Sequence, residues 1–316
     1  MSAGRGPAIV TASIPSYRSR PYIRRAVESL LGQTHRDLMV VVVSDGDPDP
    51  PWGELAHIRD QRLVRFSLAR NHGPYFAHQV VLRASASPCF LVQDADDWSV
   101  PDRVKKLLHV LEADGSDFVF SAWRQYRAEQ DGCLRPYSVR WKRLGPRTSS
   151  DHDGGRQPAS RGESFCFDTR LTENFINRAS HHGLFRRDAL ERIGGYYAGF
   201  RMNYDTLLTN LLIMTGRVSF VDTPLYCYLM RNDSLSHSES TGPRSEVRIR
   251  AKMQLSLLYR EALRQHRAWV VGELTSVGLV QRIRSLLSGL VRAEDRAELE
   301  WEAARLAAVM HSAGHR

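Results

Sequence analysis

Residues 38–46 read Leu-Met-Val-Val-Val-Val-Ser-Asp-Gly, and this stretch decides the fold. The unbroken apolar run 38–43 has strand length and no polar alternation, which is typical of a strand buried on both faces in a parallel sheet flanked by helices. Ser44, Asp45 and Gly46 then close the strand. The stretch therefore predicts an α/β architecture whose ligand binds at the carboxyl ends of the strands.

The flanking segments continue the alternation of strands and helices. Apolar runs predict strands at 8–14 (closed by Pro15), 63–67, 89–92, 118–121, around Phe185 and at 218–221. Helical spacing predicts helices at 21–32, 73–86, from about Pro101, at 187–193, at 205–215 and from Pro243 to the end. Ser99, with Asp102 three residues later, is the expected cap of the helix near Pro101. Residues 135–170, rich in Arg, Gly, Ser and Pro, predict a long mobile loop.

Composition narrows the class of protein. The chain has 316 residues, of which 42% are hydrophobic and 25% charged, as in ordinary soluble globular proteins. No apolar run approaches the roughly 20 residues of a membrane span, and the first residues carry no apolar signal core, so a cytoplasmic location is expected. Four widely separated cysteines suggest neither a zinc knuckle nor a disulfide framework. The formal net charge of +9 favours an anionic partner such as a nucleotide, nucleic acid, phospholipid or acidic glycan.

Three aspartates, Asp94, Asp96 and Asp97, follow the predicted strand 89–92 at the ligand edge of the sheet. Carboxylates this close in sequence repel one another unless they share a cation. Mg²⁺ and Mn²⁺ prefer oxygen ligands and bring diphosphate oxygens into the same coordination shell. The alternative is a solvated acidic turn that precedes the helix near Pro101. Asp45 also has two interpretations. Its carboxylate can bind a nucleobase or ribose, or it can simply belong to a turn, because Asp-Gly is a common turn pair.

Several motifs together resemble one known family. Segments 11–17 (TASIPSY), 29–34 (SLLGQT) and 43–46 (VSDG) are similar to the opening of a family 2 glycosyltransferase. Asn71-His-Gly73, Asp94-Ala-Asp-Asp97 with Pro101-Asp-Arg103, and Phe185-Arg-Arg187 with Ile193-Gly-Gly195 follow in the order and approximate spacing of that family. The resemblance covers about residues 8–238.

The resemblance implies a GT-A fold, a Rossmann-like central sheet flanked by helices that binds a nucleotide-diphosphate sugar. It implies a GT-A domain over 1–240, with a donor-binding half at about 8–122 and an acceptor-side half at about 171–240. The helical pattern beyond it predicts a C-terminal helical extension over 241–316. The donor would be UDP-, GDP- or dTDP-linked, and Asp96 and Asp97 would hold Mg²⁺ or Mn²⁺. The donor-binding residues implied are Pro15, Tyr17, Asp45, Asn71, Gly73, Asp94, Ala95 and Asp96.

The resemblance also places the catalytic base in an acidic pair, which here reads Tyr204-Asp205, so Asp205 is the candidate base of an inverting transfer. Its alternative role is that of an acid at a helix N-terminus. Arg231 stands where many relatives have a histidine and is a candidate diphosphate contact. His181 and His182 lie in the segment that lines the acceptor site in relatives. Because neighbours on a strand point to opposite faces, chelation of a metal by this pair is not expected.

The remaining alternatives concern substrate and class. The acceptor hydroxyl would belong to a cell-surface polysaccharide or lipid-linked precursor, with peripheral contact at the inner face of the membrane, or to a small natural product. A dinucleotide oxidoreductase would need a glycine fingerprint after the first strand, where this chain has Ser13-Ile-Pro-Ser-Tyr17. A basic nucleic-acid-binding protein fits the charge, but the sequence carries no helix-turn-helix or RNA-binding signature, so no nucleic-acid partner is expected.

Overall fold

A computed structural model describes residues 8–128, 133–140, 164–165, 179–231, 234 and 241–314. Within these ranges ten strands form one sheet. They are β1 Val10–Ser16, β2 Leu38–Asp45, β3 Leu63–Leu68, β4 Cys89–Val92, β5 Trp98–Ser99, β6 Phe118–Ala128, β7 Leu134–Arg140, β8 Ser164–Phe165, β9 Gly183–Arg186 and β10 Val218–Met230. The helices are α1 Arg20–Leu31, α2 Pro74–Ala84, α3 Arg103–Ala113, α4 Arg187–Arg192, α5 Tyr204–Thr215, α6 Glu246–Val270, α7 Ser276–Ser288 and α8 Ala293–Gly314.

The direction of the strands brings their ends to one edge of the sheet. The order is β3-β2-β1-β4-β9-β6-β10-β5, with β7 paired to β6 and β8 to β10. Strands β1 to β4 are mutually parallel, β9 is antiparallel to both β4 and β6, and β10 is parallel to β6. The carboxyl ends of β1 to β4, β6 and β10 therefore share one edge with the start of β9.

The valines of β2 confirm the expectation that both faces of the sheet are covered. Val40 and Val42 pack into a core with α1 and α3, whereas Val41 and Val43 pack into a second core with α2, α5 and the C-terminal helices. All four valines are fully buried. The C-terminal helix α8 lies against α2 and β3. In the part of the chain that the structure describes, no helix combines the length and apolar character of a membrane span.

Three local predictions are wrong. Strand β1 does not close at Pro15 but continues to Ser16, because Pro15 still pairs in register with Val43 of β2. Strands β6 and β10 extend well beyond 121 and 221, since they pair with each other as far as Arg127 and Met230 despite two register shifts. The predicted loop 135–170 is a strand over 135–140, where β7 pairs with β6. Its segments 141–163 and 166–170 lie outside the described residues.

The predicted cap of the helix near Pro101 is also wrong. Ser99 belongs to β5, and α3 begins at Arg103 after Asp102. The hydroxyl of Ser99 instead donates to Gln93 Oε1 at 2.7 Å and accepts from Arg103 Nη1 at 2.8 Å. These two polar partners, six residues before and four residues after Ser99, take its hydroxyl away from the backbone N–H groups of the helix.

Candidate active site

The acidic cluster lies directly after β4 at the ligand edge. Asp94, Asp96 and Asp97 each place one carboxylate oxygen within 4.8 Å of the others. Asp97 is fully buried and accepts a hydrogen bond from the backbone N–H of Leu229 at 2.7 Å. Arg231, immediately after β10, donates from Nε to Asp96 Oδ2 at 2.9 Å. The structure therefore joins the predicted metal-binding acids to the predicted diphosphate contact.

The charges of this cluster repel one another in a buried setting. Burial, together with the charges of Asp96 and Asp94, raises the pKa of Asp97 well above its usual value. Burial and the Asp94 charge likewise raise the pKa of Asp96, against the opposing effect of Arg231. Buried carboxylates that repel each other are stabilised by a shared divalent cation, and an all-oxygen donor set suits Mg²⁺ or Mn²⁺. The residues present fit such an ion.

His181 and His182 lie side by side rather than on opposite faces, so the strand-based expectation is wrong. Strand β9 begins only at Gly183, and the N–H of Gly183 donates back to the carbonyl of His181 at 2.8 Å in a turn. The two imidazole centroids are 3.9 Å apart. Ring nitrogens of both histidines lie within 4.8 Å of a carboxylate oxygen of Asp94 and of one another.

The histidine pair connects the acidic cluster to the candidate base. His182 Nε2 lies 2.8 Å from Asp94 Oδ2, and His181 Nδ1 lies 3.2 Å from Asp205 Oδ2. Burial lowers the pKa of His182 to about 4, so the ring is neutral near pH 7. A neutral ring can donate from Nε2 to Asp94 while Nδ1 accepts from the hydroxyl of Ser180 at 3.1 Å.

Asp205 is held by side chains from other elements. It is the second residue of α5, where the helix dipole favours a negative charge. Tyr75 of α2 donates its hydroxyl to Asp205 Oδ1 at 2.7 Å, while His181 faces Oδ2. Burial, followed by the Asp205 charge, raises the pKa of Tyr75 well above its usual value, so the phenol stays protonated and donates. The Asp205 side chain retains 24% exposure and is accessible to a substrate.

A second group of predicted residues gathers at the end of β2. Asp45 is buried, and its two carboxylate oxygens accept from the backbone N–H groups of His72 at 2.8 Å and Gly73 at 2.7 Å. The side-chain amide of Asn71 donates to the Asp45 carbonyl at 3.0 Å. Burial raises the pKa of Asp45, against the effect of these two backbone donors. The structure thus brings together Asp45, Asn71 and Gly73, three of the residues predicted to bind the donor.

Other predicted donor residues lie at the same edge with fewer contacts. Pro15 is near the end of β1, and Tyr17 follows that strand with 43% of its surface exposed. The Arg18 guanidinium lies 5.3 Å from the Tyr17 ring centroid. Ala95 is buried between the acids of the cluster. Tyr17 is the one of these whose side chain is open to a ligand.

Three site residues had no role in the sequence analysis: Tyr75, which contacts Asp205, and Arg103 and Tyr226, which lie beside the acidic cluster. Arg103, within the quoted Pro-Asp-Arg motif, is fully buried and donates to the carbonyl of Val92 at 3.0 Å and to Gln93 Oε1 at 2.9 Å. Its guanidinium lies 4.7 Å from the ring centroid of Tyr226, whose hydroxyl accepts from the Asp94 N–H at 3.1 Å. Burial lowers the pKa of Arg103 to about 10. Arg103 and Tyr226 together hold the backbone at Val92 and Asp94, where the acidic cluster begins.

A comparison with protein families decides the identity. The model of the family described as "Glycosyl transferase family 2" matches residues 11–194, which include Asp45, the acidic cluster and the histidine pair. The chain belongs to glycosyl transferase family 2. Asp205 lies beyond the matched residues.

Curated relatives match parts of this chain. Succinoglycan biosynthesis protein ExoO of Rhizobium meliloti is 35% identical over 107 residues, which cover 34% of this chain and 31% of ExoO. The UDP-Glc:alpha-D-GlcNAc-diphosphoundecaprenol beta-1,3-glucosyltransferase WfaP of Escherichia coli is 24% identical over 123 residues, 39% of this chain and 48% of WfaP. Glycosyltransferase GlyG of Streptococcus pneumoniae is 19% identical over 73% of this chain and 74% of GlyG. The chain thus spans less than half the length of ExoO and of WfaP.

Solved structures show the fold of this family 2 chain. Residues 1–349 of S. aureus TarS in complex with UDP-GlcNAc superpose with a TM-score of 0.55 at 16% identity, covering 97% of this chain and 90% of that one. The UDP complex of the same TarS fragment gives a TM-score of 0.54 at 15% identity and the same coverage. The expected GT-A fold and C-terminal helices are confirmed.

Proposed function

We propose that this protein is an inverting, divalent-metal-dependent glycosyltransferase, which moves a sugar from a nucleotide-diphosphate donor to an acceptor hydroxyl with Asp205 as general base. The observation that carries the proposal is the continuous series of contacts Asp94–His182–His181–Asp205. It supports the proposal because it connects the candidate cation-binding acids to an accessible carboxylate at the same edge of the sheet. A transfer reaction needs these two groups on either side of the sugar.

The donor would bind along the carboxyl ends of β1, β2 and β4. Asp45, held by the loop after β3, and the exposed ring of Tyr17 would contact the nucleoside, while Asp94 and Ala95 would face the ribose and diphosphate. Held by Asp96 and Asp97 with Asp94, Mg²⁺ or Mn²⁺ would supply Lewis-acid stabilisation of the negative charge on the departing diphosphate. Arg231 adds a fixed positive charge beside Asp96. UDP, which TarS holds in its complex, is the first nucleotide to test.

The acceptor hydroxyl is a poor nucleophile, and Asp205 would take its proton as the oxygen attacks the anomeric carbon. The Tyr75 hydroxyl donates to one carboxylate oxygen and so keeps the carboxylate oriented. His181 and His182, beside both groups, would contact the acceptor or the diphosphate. Attack from the side opposite the leaving diphosphate inverts the anomeric configuration.

The acceptor would be a cell-surface polysaccharide or a lipid-linked precursor. The names of ExoO and WfaP, which refer to succinoglycan and to a diphosphoundecaprenol-linked sugar, support this class. A lipid-linked acceptor would require peripheral contact with the inner face of the membrane. A small natural product remains the alternative outcome of an acceptor screen.

A thermal-shift screen of UDP, GDP and dTDP sugars, with and without Mn²⁺, tests the proposal. A ligand that binds only the folded state raises the melting temperature, so one donor should do so in a Mn²⁺-dependent manner. Release of nucleoside diphosphate would then be followed with polyprenyl-diphosphate-linked sugars and with free oligosaccharides as acceptors. Stabilisation by no donor, or by all of them equally without Mn²⁺, would contradict the proposal.

A further inference from the structure

The C-terminal helix α8 contacts the loop that follows β3, here named the donor loop and defined as residues 70–73. Glu298 of α8 accepts from Arg70 through both carboxylate oxygens and lies 2.8 Å from His72 Nε2. The His72 side chain is 7% exposed and that of Glu298 is 20% exposed. The contact joins residues 226 positions apart in sequence, so it exists only when α8 is docked.

The opposite side of the donor loop is bound to the end of β2. Asp45 accepts from two successive N–H groups of the loop, those of His72 and Gly73. Gly46 has φ of +61°, and a Cβ at this position would meet the loop backbone at Arg70 and Asn71 within 2.2 Å. The donor loop is therefore clamped between β2 and α8. A shift of His72 would move the hydrogen bonds that orient the Asp45 carboxylate.

Helix α8 is itself anchored firmly enough to hold the loop. Asp295 is buried and accepts from the Tyr197 hydroxyl at 3.2 Å. Tyr197 packs edge-on against Phe76, and the His72 ring stacks on Phe76 with centroids 4.0 Å apart. One side of His72 is therefore fixed by packing and the other by the Glu298 carboxylate.

We propose that Glu298 is a positioning residue for donor binding: by holding Arg70 and His72, it sets the place of the donor loop and hence the orientation of Asp45 toward the nucleoside. The inference rests on the proposed function. It makes the C-terminal helical extension part of the nucleotide site. Its effect is on donor affinity, because Glu298 contacts neither the acidic cluster nor the Asp205 region among the described contacts.

The test compares Glu298→Gln with Glu300→Gln. Both replace one glutamate of α8 by its amide, but Glu300 pairs with Arg83 at the surface, where its side chain is 61% exposed. The dissociation constants of UDP, GDP and dTDP would be measured by calorimetry in Mn²⁺, with the melting temperature of each unliganded variant. Glu298→Gln is expected to weaken the best-bound nucleotide about tenfold, which is about 1.4 kcal/mol, and Glu300→Gln to leave it unchanged.

Two further readouts separate positioning from a general loss of stability. In steady-state assays Glu298→Gln should raise the donor KM and leave kcat and the acceptor KM near the wild-type values. His72→Asn should weaken nucleotide binding similarly, and the double variant should be no weaker than either single one, since both remove the same clamp. Equal affinities in Glu298→Gln and Glu300→Gln, or additive losses in the double variant, would overturn the inference. Failure of the wild type to bind any of the three nucleotides would instead refute the proposed function.

Discussion

Replacement of Asp205 by asparagine should remove transfer and spare donor binding. Asparagine keeps the shape of the side chain, and its carbonyl oxygen can still accept the Tyr75 hydroxyl, now 2.7 Å from Oδ1. It cannot take the proton of an acceptor hydroxyl. Loss of general-base assistance lowers kcat by about 10²- to 10⁴-fold, equivalent to about 3–5 kcal/mol in the barrier. The dissociation constant of the nucleotide in Mn²⁺ should stay near that of the wild type, because Asp205 contacts Tyr75 and His181 and is not among the residues proposed to hold the nucleoside or the cation.

Asp188→Asn is the matched control for this experiment. Asp188 is the second residue of α4, as Asp205 is of α5, and its side chain is 70% exposed. Both substitutions lose a favourable interaction with a helix dipole, worth about 0.3–1 kcal/mol, so any effect of that loss appears in both. Nucleoside diphosphate release in the presence of acceptor and calorimetric titration with nucleotide would be measured on both variants. Transfer by Asp205→Asn at the rate of Asp188→Asn would refute the assignment of the base.

Three other substitutions test different parts of the site. Tyr75→Phe should lower kcat by about 10- to 100-fold with the donor KM unchanged, because a hydrogen bond to a charged group contributes about 1.5–3 kcal/mol. Steady-state kinetics measures both constants. A change confined to the donor KM would contradict the prediction. Asp96→Asn should make nucleotide binding lose most of its dependence on Mn²⁺ in calorimetry, and an unchanged dependence would count against the acidic cluster as the cation site. The hydrogen bond from Arg70 lowers the pKa of Glu298 in the folded chain below the usual 4.5. The ionised carboxylate therefore contributes its full stabilisation above about pH 4.5. This contribution is lost as the pH falls through the lower pKa of the folded state. Urea unfolding should therefore show Glu298→Gln less stable than the wild type at pH 7, with the difference shrinking in acid; a difference that grows in acid would contradict the ion pair.

Local sequence patterns predicted most of the sheet and its helices. The run 38–43 predicted burial on both faces, and Val40 to Val43 do alternate between two cores, since apolar side chains on successive residues of a strand need cover on each side. The late part of β10 was not predictable in this way. Its residues 222–230 are held by pairing with β6, and the sequence does not show which strand will be the neighbour.

The sequence by itself determined which chemical groups this protein has: an acidic cluster after a buried strand, an aspartate at the end of another buried strand, and a candidate base at a helix start. Only the tertiary structure decided which of these groups meet. His181 and His182 come together because β9 begins after them and runs antiparallel to β4, so the turn before it lies beside Asp94. Glu298 reaches His72 because α8 packs on α2 and β3. Such contacts join residues far apart in the chain, and local spacing carries no information about them.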